Sequence, residues 1–525
     1  MRTLILIHRW LGVGFCLFFA MWFASGIVMH FVPFPVLTEA ERVAGLAPLK
    51  LTVPVQSPAA AVHAAMLATA RTGELSDAAI AAGVTRVRLI ARPDGAVYVV
   101  HTPAALHAGL HAVYADTLER AGVANPAAAL RMAMAHAQHR GLPGEAATFA
   151  ETALHDQWSV PNGLDAHRPL HRIALNDAAG TELYVSSVTG EVVRDTTRHE
   201  RVWNYAGSVV HWIYPTVLRR DQRAWIITVW VLSLAALIAA ISGTVLGVLR
   251  TRIAHGRPAS PYRGWIGWHH WLGLGTAVFV LTWIFSGWLS MDNGLLFSTG
   301  RPDRVDAGNL SGTPQWPTEA PRAFPGEAPR VMRGSGPLEM EWFGFDGHTM
   351  RRERFDLTSQ LLAPATSISA ASLRVLGADE AARAARHVMP GCGPAEVIAP
   401  GDSHPATSSL PGAPVYRVVC GSTWLHIDSA NGMLLQKLDA SRRAYRWLYK
   451  GLHTFDFPAL TAHPALRTWL IVLLSIAGLA SSITAIVIGW RRLRNIAGKP
   501  LPPRVSGHRP SHTNANRRRS LSHAG

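Results

Sequence analysis

Four long stretches of the chain carry no charge. They run from Trp10 to Thr38, from Ala224 to Leu249, from Gly264 to Met291 and from Thr468 to Trp490. Each reaches the roughly 20 apolar residues that a bilayer-spanning helix needs. A helix in a soluble core would interrupt such a run with a polar face. The pattern predicts an integral membrane protein with four transmembrane helices. The first run is too long for the apolar part of a signal peptide, and its end, His30 to Pro35, lacks an Ala-x-Ala cleavage pattern, so an uncleaved helix is expected.

Between the runs the pattern changes period. In the first loop, Pro58–Arg71 and Pro126–His139 read as helices. Thr85–Ala91, Ala96–His101, Gly109–Ala115, His171–Ala174 and Glu182–Ser187 alternate like strands, and Thr189-Gly190 makes a turn. In the second loop, Ala370–His387 reads as a helix. Leu338–Phe345, Met350–Leu357, Val415–Cys420, Trp424–Asp428 and Met433–Leu438 read as strands, with a turn at Asn431-Gly432. The repeating unit is one helix with a small antiparallel sheet, up to two per loop. Gly300–Gly336 reads as irregular connection. The chain divides into residues 1–32 with the first helix, 33–223 as a first outer domain ending in an interfacial helix, and 224–249 as the second helix. A connection over 250–265 leads to the third helix at 266–291. A second outer domain with its interfacial helix covers 292–466, the fourth helix 467–490, and a basic tail, expected to be disordered, 491–525.

The 525 residues carry a formal charge of +16. Fifteen positive residues explain almost all of it: Arg2 and Arg9 before the first run, four arginines in the short connection, and nine in the tail after Trp490. That distribution is a positive-inside signature and not a nucleic-acid footprint. It places both termini and the connection in the cytoplasm and both large loops outside, in the periplasm of a Gram-negative cell. Of three cysteines, Cys16 lies inside the first run. Cys392 and Cys420 share the second loop, where a disulfide is permitted.

The first and third runs are nearly the same text. At an offset of 261, residues 8–30 and 269–291 share nine identities, among them His8/His269, Trp10/Trp271, Gly12/Gly273, Trp22/Trp283 and Ser25-Gly26/Ser286-Gly287. Apolar runs alone do not require this, so a two-fold internal repeat is expected.

With the strand-turn-strand ends Tyr184–Val192 and Trp424–Gly432, and helices opening HRWLGVG and HHWLGLG, the chain resembles the PepSY-associated transmembrane helix family over residues 1 to about 494. The resemblance implies four membrane helices with α+β PepSY-like loops. It also implies kinship with bacterial inner-membrane ferric-siderophore reductases that carry two b-type haems.

The residues can be read beside that expectation. His8 and His269 sit at the mouths of the first and third runs, where an imidazole needs a partner. Two such residues from neighbouring helices can ligate one haem iron, and the glycines behind them would let a porphyrin approach. The plain alternative is an interfacial histidine bonded to lipid. His270 is the substitute for His269. His211 and His453 precede the second and fourth runs in matching contexts, each followed by an aromatic-Pro step and an Arg-x-Trp entry. They are candidate ligands of a second haem, on amphipathic interfacial helices. His30 lies about 33 Å from His8 along a helix and is an alternate at that end, although its repeat partner is Met291. Trp158, Trp342 and Trp424 are candidates to contact an outer chelate.

No phosphate-cradling, dinucleotide or HExxH motif is present. Electrons would therefore come from a separate cytoplasmic donor. The expected function is electron transfer through two b haems to an outer acceptor, most simply a ferric siderophore. The alternative is a non-enzymatic module whose loops bind a peptide or peptidase, a reading with no use for matched histidines.

Overall fold

The computed structural model describes residues 1–50, 54–67, 84–102, 109–254, 257–294, 296–322, 336–366 and 375–497. The tail beyond Lys499, the far end of Pro58–Arg71 and the start of Ala370–His387 lie outside these residues.

Four helices are long and apolar enough to cross a membrane: Arg2–Phe31, Gln222–Arg250, Gly264–Ser290 and Pro464–Ala497. They are the first to fourth spans of a multi-pass membrane protein. Local chemistry sets their ends. Pro33 follows the first span and cannot continue a helical ladder. The Asp221 carboxylate accepts from the Ala224 amide at 2.9 Å and caps the second. Pro464 opens the fourth, where its missing N–H costs nothing. The first and third spans each pack on the second and fourth, closing a four-helix ring. Close approach relies on glycine. A methyl group at Gly478 would lie 2.6 Å from the Phe23 ring, and one at Gly247 would lie 2.8 Å from Leu274.

The first loop supplies β1 (Arg86–Arg92), β2 (Gly95–His101), β3 (Leu110–Tyr114), β4 (Thr148–Ala153), β5 (Leu170–Ala174), β6 (Glu182–Ser186) and β7 (Val192–Thr196). A short hairpin, β8 (Arg252–Ala254) and β9 (Arg257–Ala259), forms the connection. The second loop supplies β10 (Glu339–Phe345), β11 (His348–Arg354), β12 (Gln360–Pro364), β13 (Cys392–Val397), β14 (Val415–Cys420), β15 (Thr423–Asp428) and β16 (Leu434–Leu438). Two four-stranded sheets, β4-β5-β6-β7 and β13-β14-β15-β16, are each local to one loop. Helix Pro126–His139 packs on the first, and the alanine face of helix Ala378–Val388 packs on the second. In the second, Cys392 and Cys420 lie opposite each other in the β13/β14 register and form a disulfide.

The remaining strands make a sheet in common. Its order is β12-β11-β10-β1-β2-β3, and β1 pairs antiparallel with β10, three strands coming from each loop. Tyr98 and Trp342, fully buried and 6.1 Å apart, fill the core under this seam, each contributing about 1.5–3 kcal/mol by burial.

The strands read from alternation are present within a residue or two at most ends, but β4, β12 and β13, the connection hairpin, and helices at Glu39–Ala44 and Arg304–Ser311 were not expected. β4 and β13 have little buried face and hence no alternation. β12 is a short run, Gln360–Pro364, buried on both faces up to Ala363 and so without alternation. Within Gly300–Gly336, expected to be irregular, Arg304–Ser311 is a helix started by a reciprocal cap between Asp303 and Asp306.

Charge locks the common sheet. The Arg88 guanidinium on β1 donates to both Glu191 oxygens, at 2.9 and 2.8 Å, and to Glu339 on β10 at 3.0 Å. Glu339 also accepts from Arg42 at 3.0 Å. One buried cation therefore joins the β4–β7 sheet, the common sheet and the second loop. Burial alone would raise the Glu191 carboxyl, but the Arg88 guanidinium overcomes it and holds the group at about 2. An acid depressed in this way contributes stability above its unfolded value, about 4.3, and loses it as pH falls through the folded value. We predict that the thermal midpoint, followed by tryptophan fluorescence in detergent, falls steeply between about pH 4.3 and about pH 2. Glu339→Ala should cost about 3–5 kcal/mol by stranding buried guanidiniums. An acid-insensitive midpoint, or a silent Glu339→Ala, would remove the joint from any role in stability.

Candidate functional site

The spans run up and down, so each end of the bundle gathers residues from all four. At the end carrying the short connection, the His8 and His269 rings face each other with centroids 6.3 Å apart and planes 24° apart. At the opposite end, His211 and His453 stand with centroids 6.2 Å apart and planes at 70°. The positions of Ser25 and Ser286, which touch the second pair, lie roughly 25 Å along the first and third spans from His8 and His269.

Each of the four rings is held the same way. His8 Nδ1 bonds to the Ala239 carbonyl oxygen at 3.1 Å. His269 Nδ1 meets Thr484 Oγ1 at 2.9 Å, His211 Nδ1 meets Ser25 Oγ at 3.1 Å, and His453 Nδ1 meets Ser286 Oγ at 3.0 Å. The three hydroxyls already donate their only proton to carbonyls of their own helices: Thr484 to Ser481, Ser25 to Met21 and Ser286 to Trp283. They can therefore only accept from the imidazoles. Every Nδ1 carries the proton, and every Nε2 keeps a lone pair. None of the four Nε2 atoms has a hydrogen-bond partner among the described residues.

Histidines that hold a metal are oriented in this way, with the nitrogen away from the metal donating to an oxygen. A metal–nitrogen bond of about 2 Å on each side, plus about 1.1 Å from nitrogen to ring centre, places two axial imidazoles about 6.3 Å apart, one metal atom between them. Both pairs have that separation. Among the described residues neither pair belongs to a cluster of three or more His, Cys, Asp or Glu side chains.

Glycines make room for the rings. A Cβ on Gly243 would lie 2.5 Å from His8, one on Gly287 3.3 Å from His453, and one on Gly26 3.5 Å from His211. Around Gly12, Gly14, Gly273 and Gly275 an added Cβ would meet nothing within 4 Å. Gly12 and Gly273 line a cavity of about 550 Å³ that also contains His8 and His269, a volume typical of cofactor sites. Phe23, Phe279 and Trp283 lie between the two pairs along the spans, with centroids 5.5–6.3 Å apart.

The second pair is aimed by two interrupted helices. Arg198–Asn204 runs into a π-helical turn, Tyr205–Val209, two residues before His211. Ala440–Arg446 runs into another, Trp447–Gly451, two residues before His453. The extra residue in a π turn rotates the next stretch of helix about its axis. The segments expected to be amphipathic interfacial helices therefore each carry such a turn. Trp22 Nε1 donates to the His211 carbonyl at 3.0 Å and fixes the first of them to its span.

The alternates lie elsewhere. His270 uses both ring nitrogens, on Ser260 Oγ at 2.7 Å and the Gly247 carbonyl at 2.9 Å, so it has no free lone pair to offer. His30 reaches the fourth span, its Nε2 2.9 Å from Thr468 Oγ1. Of the tryptophans expected to face an outer ligand, Trp158 and Trp342 are instead buried in loop cores. Trp342 lies on β10 and Trp158 in a turn, and in neither place does the sequence show that the ring is covered. Trp424 is half-exposed, with the Arg417 and Arg443 guanidiniums over its ring at 4.4 and 4.5 Å. Arg417 also grips Asp402 and holds its carboxyl at about 2.

Sequence reasoning missed Ser25, Ser286, Gly26, Gly287, Gly243 and Thr484. The first four stood among the repeated identities, and that was a usable signal. Gly243 and Thr484 carried none, because their roles depend on which helix faces which.

Among curated proteins no sequence matches this chain. The family model of the PepSY-associated TM region matches residues 5–492. With four spans, sheet-bearing loops and a match of that extent, the chain belongs to the PepSY-associated TM region family.

Proposed function

We propose that this protein carries two b-type haems and moves electrons across a bacterial inner membrane from a cytoplasmic donor to an outer acceptor, a ferric siderophore. The observation that supports this most is the fourfold one. Two imidazole pairs stand at axial-ligand separation, each Nδ1 is tied to a helix oxygen, and each Nε2 is free. Two protein nitrogens and no third side-chain donor suit a metal whose other positions a macrocycle fills. The open faces of Gly12 and Gly273 suit a flat ring beside His8 and His269.

When bound, each haem iron would take up and release one electron at a time. The chain's own residues do the rest. His8, His269, His211 and His453 hold the irons. Ser25, Ser286, Thr484 and the Ala239 carbonyl keep the imidazoles in the ligating tautomer. The packed rings of Phe23, Phe279 and Trp283 keep water out of the space between the pairs. Iron(II) leaves siderophores more readily than iron(III), so reduction at the outer end would release the metal. The matching serine-glycine seats of His211 and His453 also support a two-fold repeat of the spans.

Haem per protein, read from the Soret band after purification from haem-replete cells, tests this. His8→Ala and His269→Ala should each remove the same half, and the double variant no more, because residues that act as a unit are non-additive. His211→Ala and His453→Ala should remove the other half, while His270→Ala removes none. Wild-type protein without a Soret band would sink the reading and favour a peptide-binding module.

Orientation has a separate test. The fifteen positive charges outside the large loops fall before the first span, in the short connection and in the tail, which supports a cytoplasmic side for all three. Reporter fusions at Ala254 and after Leu493 should behave as cytoplasmic, and fusions near Ala124 and Gly412 as external. A reversed pattern would reverse the direction of electron flow.

A further inference from the structure

The cavity that holds His8 and His269 is apolar along most of its wall, yet Arg9, Arg250 and Arg492 open onto it from the first, second and fourth spans. No aspartate or glutamate lines it. Arg9 and Arg250 make no hydrogen bond or ion pair with any described residue. Arg492 has its Nε buried without a partner, and its guanidinium stands over the Trp10 ring at 5.7 Å. Three cations lining one cavity repel one another, and for Arg492 the buried, unpartnered Nε adds the cost of lost water. Such a group is stable when an anion completes it.

Position narrows the anion. Gly243 touches His8, and Arg250 is two turns further along the same span. Thr484 holds His269, and Arg492 is about two turns further along the fourth. The backbone positions of Arg250 and Arg492 therefore lie about 10–12 Å beyond the level of the imidazole pair, towards the connection end. Arg9, next to His8, closes the third side. The anion belongs to something that sits between the imidazoles and extends to that end of the bundle.

We propose that Arg9, Arg250 and Arg492 bind the two carboxylates on the edge of the porphyrin, so that this edge faces the connection end. The inference rests on the haem reading above. Three guanidiniums facing two carboxylates leave a residual positive charge, which favours the reduced iron. The arginines are positioning residues. They fix which edge of the macrocycle points where, and they bias its potential. The competing source of negative charge is the phosphate of a lipid headgroup, which long basic side chains at membrane ends commonly reach.

The test uses full-length protein prepared free of haem in detergent and titrated with haemin or with haemin dimethyl ester, which lacks the carboxylates. The Soret signal that His8→Ala abolishes reports the inner site. Wild type should bind haemin at that site more tightly than the ester, by about tenfold or more. The triple variant Arg9→Gln/Arg250→Gln/Arg492→Gln should lose that preference by weakening haemin alone. Haem it retains should reduce at a more negative potential. The corresponding triple lysine variant should recover most of the preference, which separates loss of charge from misfolding. If the glutamine variant keeps the preference and the potential, the carboxylates bind elsewhere and the proposal falls while the haem reading stands. If wild type takes haemin and ester equally, the arginines serve lipid phosphate and the proposal also falls. If wild type takes neither, both readings fall together.

Discussion

An imidazole inside an apolar bundle must satisfy two nitrogens with very few polar atoms in reach. The local organisation of both ends of this bundle stems from that constraint. Backbone carbonyls of a helix are spent on its own ladder, so the partners available are a carbonyl with a spare lone pair, as at Ala239, and hydroxyls that fold back on their own helix, as at Ser25, Ser286 and Thr484. Such a hydroxyl has already spent its proton and can only accept. It therefore sets the tautomer of any ring placed against it, without a charged group in the membrane. Glycine one residue on from each serine then decides whether the ring fits.

Much of this was legible in the chain. Long uncharged runs give spans, because nothing but lipid or another helix tolerates twenty apolar residues on all faces. Alternation gave the strands that have one covered face, such as β1, β2, β14 and β15. The histidines that meet in space were the ones at matching positions, and the structure brings His8 to His269 and His211 to His453.

The illegible features have a common cause. They depend on a partner far away in sequence. The pairing of β1 with β10 joins segments that each look complete, and it makes one sheet where the sequence suggests two. A trace was present. Arg86 and Arg88 alternate on one strand, Glu339 and Glu341 on the other, and charges repeated on a buried strand need an answering set. The π turns before His211 and His453 leave no mark in composition, since one extra residue in a turn is a matter of register. Arg9, Arg250 and Arg492, which line the cavity of His8 and His269, read in the sequence only as a sign of topology, because positive charge at a membrane end has an ordinary explanation.

The common sheet also bears on how the protein is made. After the first loop emerges, β1 has β2 on one side and nothing on the other, an open edge of the kind that invites wrong partners. Its proper neighbour, β10, lies beyond the second and third spans. At about 5–20 residues per second, the ribosome needs roughly 12–50 s to deliver it. For that interval the first loop waits unfinished, with Arg88 facing a gap where Glu339 will sit. The first loop can therefore complete its fold only after the second loop has been made, so the two loops mature together and not one after the other.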